Sequence, residues 1–201
     1  MRVLAISDGV FAISMTLLVI GIGVPALRAA GSEHELLQAL LDLWPDVVGF
    51  VIGFAVIGRY WAAHHQFFAL VQEVDGTLIR RNLVYLASIA FLPFPTAVLG
   101  DYLHNPVAVG AYALAVAGVS GLEVVLLDCA HRDGLLRRPL PPHVYRWARR
   151  ASLLPVVLFV ASVPVAFAST VAAVVIWMVV VPFEVVLVDR HRPPDADEYL
   201  R

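Results

Sequence analysis

The feature that most constrains this chain is an uncharged apolar run near its start, residues 9–24, which directly follows Asp8. With the preceding turn, the run is long enough for an α-helix that crosses a bilayer. An ionisable side chain in such a segment costs free energy, so Asp8 needs a partner or a function. We therefore predict a membrane-spanning first helix with a polar group near one end. A cleaved signal peptide is the alternative, but Asp8 and a poor cleavage site around Ala29 and Ala30 argue against it.

The rest of the chain is similarly apolar, since hydrophobic residues make up 60% and charged residues 15% of the 201 residues. Soluble domains carry about 25% charged residues, so this composition predicts an all-α, polytopic membrane bundle. We expect a single domain over residues 1–201. Cys129 is the only cysteine, which excludes an intrachain disulfide. No nucleophile motif or nucleotide fingerprint occurs, so we expect no enzyme activity, no cofactor and no nucleic-acid partner.

Hydropathy predicts six membrane-spanning helices. After the first, the second covers residues 43–71, and residues 31–35 before it are assigned to a short loop. The third covers residues 82–99 and the fourth residues 106–127. Residues 151–188 are too long for one span and are divided near residues 167–170 into the fifth and sixth.

The basic residues are all arginines, and they are distributed unevenly between the two sides of the predicted bundle. All but two lie on the side of the N-terminus; Arg28 lies on the other side and Arg59 within the second span. Because cytoplasmic loops are enriched in Lys and Arg, we predict that both termini are cytoplasmic.

The first helix has two chemically different faces. At 100° per residue, one face is an aliphatic stripe, with Thr16 at its edge and Asp8 nearly opposite. The aliphatic stripe consists of Ile6, Gly9, Ile13, Leu17, Ile20 and Val24.

Four residues of the second span share one helical face, because they have the spacing i, i+3, i+4 and i+7. They are Trp61, His64, His65 and Phe68. The two histidines lie at about the membrane depth of Asp8, so we predict a structural polar network that holds the first helix to the second. Its predicted members are Arg2, Ser7, Asp8, Trp61, His64 and His65. A metal site is disfavoured because no further His or Cys lies in a span to complete it.

Arg59, Glu123 and Glu184 are further ionisable residues that lie deep within predicted spans. We interpret them as structural ion pairs, and a proton or substrate relay is the alternative. Two ridges of glycines indicate close helix packing. One consists of Gly49 and Gly53 in the second span, and the other of Gly110, Gly118 and Gly121 in the fourth.

Two prolines, Pro93 and Pro95, predict a kink in the third span, with the wall of an outer vestibule as the alternative.

Three segments resemble one known family. Residues 2–13 resemble the R-x-x-x-F-S-D-G-V-F-A-I signature that opens bacterial members of the transmembrane protein 175 family of potassium channels. WAAHHQFF, residues 61–68, is similar to the W-x-x-H-H element of that family, and residues 81–102 resemble its third helix. Ile6 departs from the pattern, because the family usually has Phe there. The second half of the chain matches only in hydropathy and helix count.

This resemblance implies a six-helix subunit that assembles as a homotetramer, with the first helices lining a pore. The family uses an aliphatic constriction in place of a carbonyl-lined filter. The matching positions here are Ile13, Leu17 and Ile20, with a threonine layer at Thr16.

The resemblance therefore implies a potassium-selective leak channel in the inner membrane of a prokaryote, with potassium as the permeant ion. A proton-coupled secondary transporter that uses Glu123, Glu184 and the histidines is the alternative, although we detect no internal repeat typical of carriers. A third interpretation is a structural bundle in which the aliphatic stripe is only a packing seam.

Overall fold

Long helices form nearly all of the structure, which is a computed structural model. It describes residues 2–25 and 32–199, except for the side chains of Arg2, Pro45, residues 181–187 and Asp189. The predicted all-α class is confirmed. In chain order the helices are α1 (Arg2–Leu17), α2 (Glu33–Asp42), α3 (Trp44–Leu70), α4 (Gly76–Phe91), α5 (Pro93–Asp101), α6 (Pro106–Arg132), α7 (Pro142–Ala168), α8 (Thr170–Arg190) and α9 (Ala196–Tyr199).

Five helical stretches of the described chain are long and apolar enough to cross a membrane: Val3–Gly21, Glu33–Leu70, Gly76–Asp101, Pro106–Arg132 and Pro142–Ala168. A shorter apolar stretch, Thr170–Val180, belongs to α8. The predicted division near residues 167–170 agrees with the end of α7 at Ala168 and the start of α8 at Thr170. The predicted fifth span corresponds to α7, and its start differs from the prediction. α7 begins at Pro142 instead of residue 151, and it continues through Pro155 and Pro164.

Side chains that bind free backbone N–H groups explain where several helices begin. The Asp75 carboxylate accepts a hydrogen bond from Leu78 N at 2.7 Å, at the start of α4. Asn105 accepts one from Val107 N at 2.9 Å at the start of α6. The predicted loop at residues 31–35 is wrong from Glu33 onward, because Ser32 and Glu35 form a capping box that begins α2 at Glu33.

The third predicted span is broken at Leu92, between α4 and α5. Pro93 and Pro95 have no N–H to donate, so the regular hydrogen-bond ladder is interrupted there. Thr96 re-forms it, because its N–H and its hydroxyl both donate to the Leu92 carbonyl, at 3.1 and 2.8 Å. The prediction of a kink is confirmed by this break, which lets α5 pack against α3.

Loops at one end of the bundle pack on one another, and we call this end, which carries most of the arginines, the arginine end. The α3–α4 connection pairs with the α6–α7 connection through an isolated antiparallel bridge between Val71 and Leu136. The C-terminal tail closes over the same loops, where His143 Nε2 lies 2.8 Å from an Asp195 carboxylate oxygen and Ala196 is fully buried. The start of α1 lies here too, because Ser7 contacts Asn82 near the start of α4.

Close helix packing is found at only one of the two glycines of the α3 ridge. A Cβ added at Gly53 would lie 2.8 Å from Thr96 Cγ2 and 3.3 Å from the methyl groups of Leu18, whereas one at Gly49 would meet nothing within 4 Å. Gly53 therefore lets α3, α5 and the end of the first helix approach one another.

We expect Gly53→Ala to lower the thermal stability of the purified protein, because the new methyl group would overlap Thr96. Overpacking of this kind costs about 1–3 kcal/mol. Size-exclusion chromatography after heating measures the fraction that remains folded. Gly58→Ala is the matched control on the same helix, since a Cβ there meets nothing within 4 Å. Equal melting temperatures for the two variants would show that α3 and α5 are not in tight contact.

Candidate functional site

The first helix buries one narrow face against α3 and α4. Ser7 and Phe11 have no exposed surface, and Ser14 is 1% and Leu18 6% exposed. These residues are spaced by four, three and four, so they form a single line along the helix. The rotation of the helix relative to the bundle is thereby defined.

The predicted constriction residues lie on the other side of the same helix. Ile13 is 59%, Leu17 42% and Ile20 72% exposed, and Thr16 is exposed as well. The Thr16 hydroxyl donates a hydrogen bond to the Ile13 carbonyl at 2.8 Å. This bond uses the hydroxyl hydrogen, so the lone pairs of the Thr16 oxygen remain available as acceptors. None of these four side chains is used to build the core of the single chain.

The helix changes type at the end of this stripe. The α-helix ends at Leu17, and residues Leu18–Gly21 form a 3₁₀ helix. The prediction of one continuous α-helix through residue 24 is therefore wrong. Residues i and i+3 eclipse in a 3₁₀ helix, so the change places Ile20 more nearly in line with Leu17.

Asp8 lies at the arginine end of α1, and its described hydrogen bond comes from Trp61. Trp61 Nε1 donates to Asp8 Oδ1 at 3.0 Å, and the His65 ring lies 5.9 Å from the Trp61 ring. The predicted direct contact between Asp8 and a histidine is thus replaced by a contact with the indole. Trp61 lies one turn before His65 on α3 and contacts both residues, Asp8 through its N–H and His65 through its ring.

A second set of hydrogen bonds joins three helices through Asn82, a residue that the sequence analysis missed. Asn82 Nδ2 donates to Ser7 Oγ at 3.2 Å, and Asn82 Oδ1 lies 2.9 Å from His64 Nε2. The Ser7 hydroxyl in turn donates to the Val3 carbonyl at 2.9 Å. His64 and Asn82 are 3% and 1% exposed, so this chain of bonds is almost completely enclosed.

We call Ser7, Asp8, Trp61, His64 and Asn82 the polar anchor. Ser7, Asp8, Trp61 and His64 were predicted members, and Arg2 lies outside the described side chains. His65 is exposed and contacts the anchor through its ring only. The available signal for Asn82 was an amide at the very start of the predicted third span, where a polar side chain needs a partner.

Aromatic rings enclose the imidazole of His64. Its ring centroid lies 4.6 Å from that of Phe68, 5.4 Å from Phe11 and 5.5 Å from Tyr85, with the Tyr85 ring almost parallel to it. Phe11 belongs to the buried face of α1, so the rings and the hydrogen bonds hold the same helix. The arrangement is typical of a rigid structural site.

A separate polar cluster lies between α3, α4 and α6. The Tyr85 hydroxyl donates to Glu123 Oε1 at 3.2 Å, and the Tyr60 hydroxyl lies 2.8 Å from Ser120 Oγ and donates to the Val116 carbonyl at 3.1 Å. Within the described part of the chain, the hydrogen bond of Glu123 comes from tyrosine and not from arginine. The side chain of Glu184 lies outside the described residues.

A cleft of about 250 Å³ lies beside the 3₁₀ turn, at the end of the bundle opposite the arginine end. Leu17 and Ile20 form part of one wall, and Pro93 and Thr96 of α5 form part of another. Asp46 and Asp101 also line it. The proline segment therefore does border an opening at the end of the first helix.

Comparison with known proteins gives consistent matches. Residues 2–93 match the family described as "Endosomal/lysosomal potassium channel TMEM175". The chain is 42% identical over 123 residues to a protein of Streptomyces collinus named "Potassium channel B446_29190", an alignment that spans 59% of this chain and 58% of that protein. It is 34% identical over 114 residues to the "Endosomal/lysosomal proton channel TMEM175" of Gallus gallus, an alignment that covers 53% of this chain and 23% of that protein.

The fold matches a solved structure over almost its whole length. The structure is described as a lysosomal potassium-selective channel TMEM175 homolog from Chamaesiphon minutus, with a TM-score of 0.78 and 30% sequence identity. The match covers 93% of this chain and 96% of that one.

We expect Asn82→Leu and His64→Phe to destabilise the protein by less in combination than the sum of their separate effects. Each substitution breaks the hydrogen bond between the two residues, so the double variant loses that bond only once. The difference should be about 0.5–1.5 kcal/mol, the net value of one hydrogen bond. Thermal unfolding of the detergent-solubilised protein measures it.

Asn82→Leu combined with Trp177→Phe is the control, because Trp177 bonds Ser162 and shares no partner with Asn82. These two effects should add. Full additivity in both pairs would show that His64 and Asn82 do not interact.

Proposed function

Because this chain belongs to the TMEM175 family, as its sequence motifs predicted, we propose that it forms a potassium-selective leak channel in which four copies surround one ion path. We assign the constriction to Ile13, Leu17 and Ile20, with the Thr16 hydroxyl as a polar layer among them. The observation that carries this assignment is the exposure of these four side chains on a helix whose opposite face is buried.

Several copies are needed because one helix cannot enclose an ion path. Closed rotational symmetry is the usual way in which identical subunits assemble, and it would bring the same face of each α1 to a common axis. Rings of Ile13, Leu17 and Ile20 would then lie at successive depths along the path. The 3₁₀ turn supports this placement, since it keeps Ile20 close to the line of Leu17.

A ring of aliphatic side chains selects ions through the free energy of dehydration. Such a ring offers no oxygen ligands, so an ion must lose part of its water to cross, and the same ring gates by dewetting. Potassium holds its water less tightly than sodium, so its barrier is lower. Thr16 supplies hydroxyl oxygens beside the ring, and selectivity of this kind is moderate.

The polar anchor positions the constriction and does not contact the ions in this proposal. Ser7 and Asp8 are bound to α4 and α3, on faces of α1 that point away from Ile13. The arginine end is the cytoplasmic end by the positive-inside rule, so we assign both termini to the cytoplasm. The similarity to bacterial relatives supports a prokaryotic inner membrane as the site of the channel. Arg28 and Arg201, which enter that rule, lie outside the described residues.

A proton-coupled carrier is the second candidate, and the observation that favours it is the carboxyl group of Glu123 inside the bundle. The hydrogen bond from Tyr85 gives this acid a structural role that needs no proton movement. The channel proposal therefore treats Glu123 as a packing element between α4 and α6.

Glu123→Gln should leave the potassium-to-sodium permeability ratio unchanged, because the amide oxygen still accepts the Tyr85 hydrogen bond. Potassium and sodium fluxes in liposomes, with a pH-sensitive dye inside, measure ion and proton movement together. Tyr85→Phe is the matched variant, because it removes this hydrogen bond and keeps the carboxyl group of Glu123. Loss of a proton-coupled flux in the Glu123 variant alone, with assembly intact, would favour the carrier.

Ile13→Asn should raise conductance and reduce the preference for potassium, because amide oxygens replace a dry ring and lower the sodium barrier more than the potassium barrier. If the sodium barrier falls by about 1 kcal/mol more than the potassium barrier, the permeability ratio of potassium to sodium drops roughly fivefold. Reversal potentials in planar bilayers under bi-ionic conditions measure the ratio.

Met15→Asn is the control on the same helix, because Met15 is half-buried and packs against the core. It should reduce stability and leave the ratio unchanged. An unchanged ratio in both variants, or a monomeric protein that still conducts, would place the ion path elsewhere.

A further inference from the structure

A short amphipathic helix, α2, precedes α3, and the described part of the chain does not cover its apolar side. Leu36, Leu37, Leu40 and Leu41 are 45%, 56%, 50% and 65% exposed. At 100° per residue the four leucines fall within one arc, which Glu33 also enters in the first turn of the helix. Glu35, Gln38 and Asp42 occupy the other side. α2 makes its main contacts with the start of α3, and no residue of α2 is buried.

The length of this segment excludes a simple extension of the membrane-spanning helix. The apolar stretch Glu33–Leu70 has 38 residues. At 1.5 Å per residue it would measure about 57 Å, whereas a bilayer is about 40–45 Å thick including its headgroups. The 27 residues of α3 already measure about 40 Å by the same rise. α2 therefore lies at or beyond the headgroup region.

The sequence stabilises α2 as a separate helix at that position. The Ser32 hydroxyl accepts from Glu35 N at 3.2 Å, and a Glu35 carboxylate oxygen accepts from Ser32 N at 2.9 Å. This reciprocal cap satisfies two backbone N–H groups at the start of the helix. The helix ends at Asp42, and a single residue, Leu43, separates it from α3.

The apolar side of α2 continues into the membrane-spanning helix. By helical position Leu43 and Trp44 extend the leucine arc, and Trp44 is 68% exposed in the first turn of α3. Tryptophan at this boundary is typical of the membrane–water interface. The bilayer that surrounds α3 is thus the apolar medium nearest to the leucines. Leu43 alone separates α2 from α3, and this short link keeps the leucines next to that bilayer.

Charge argues against a second copy of α2 as the cover. α2 carries three acids, Glu33, Glu35 and Asp42, and no basic residue. A contact between two copies through their leucine sides would bury Glu33, which lies on that side, and α2 has no basic residue to pair with it. The same acids are well placed when they face water.

We propose that α2 lies in the membrane–water interface at the end of the bundle opposite the arginine end, with its leucine side in the lipid and its acidic side in water. In this position it ties the link between α1 and α3 to one leaflet. The occupant of the leucine side is phospholipid, at the boundary between headgroups and acyl chains. The proposal does not depend on ion conduction.

The experiment uses full-length protein in phosphatidylcholine liposomes, with Cys129→Ser to remove the one native thiol. A single cysteine is introduced by Leu40→Cys on the leucine side or by Gln38→Cys on the acidic side, and it is labelled with an environment-sensitive fluorophore. We expect the label at position 40 to shift to shorter wavelength and to be quenched by lipids with a nitroxide near the headgroup. The label at position 38 should instead be quenched by aqueous iodide.

Leu36→Cys gives an independent position on the same side if the first variant assembles poorly. Nitroxide-lipid quenching at positions 36 and 40 but not at 38 supports the proposal. Equal iodide quenching at all three positions would overturn it, since the leucine side would then face water. Disulfide cross-links between copies through position 36 or 40, without lipid quenching, would also overturn it and identify a second copy as the cover.

Discussion

The hydrogen bonds of one buried amide determine how the first helix sits in this bundle. Asn82 binds Ser7 on one side and His64 on the other, in an environment that offers no water to replace either partner. Because hydrogen bonds are directional, this contact fixes the rotation of α1 and not only its position. Asp8, the next residue along α1, points about 100° away and is held by Trp61, so two adjacent residues bind two different helices. The aliphatic stripe faces outward as a consequence.

The opposite end of the first helix is positioned by shape. Leu18 packs beside Gly53, where the missing side chain lets α3 and α5 come together around it. Close packing of this kind sets the distance between helices and does not depend on direction as a hydrogen bond does. The first helix is therefore oriented by hydrogen bonds at the arginine end and by close packing at the other end. Ile13, Thr16 and Leu17 lie between these two contacts, and Ile20 lies just beyond the second.

The helices themselves could be predicted from the sequence, because long apolar runs leave few alternatives in a membrane. The division between α7 and α8 and the break before Pro93 followed from the same rules. α2 was missed because a hydropathy window assigns its acids to a loop, although the Ser32 and Glu35 spacing is a capping signal. The 3₁₀ turn at Leu18 could not be predicted, since no residue there requires it and it depends on packing against Gly53 and α5.

Most residues of the candidate site could be predicted from the sequence, but the contacts between them could not. Histidine, serine and aspartate inside apolar spans are conspicuous, but the partner of each depends on which helices are neighbours, and periodicity within one helix carries no such information. Asn82 lies at the edge of a span, where amides commonly face water, so only its burial between α1 and α3 distinguishes it. The same reasoning applies to Ile13, Leu17 and Ile20. An apolar face on a membrane helix contacts lipid, protein or a pore with equal ease, and its assignment depends on the polar contacts that turn the opposite face inward.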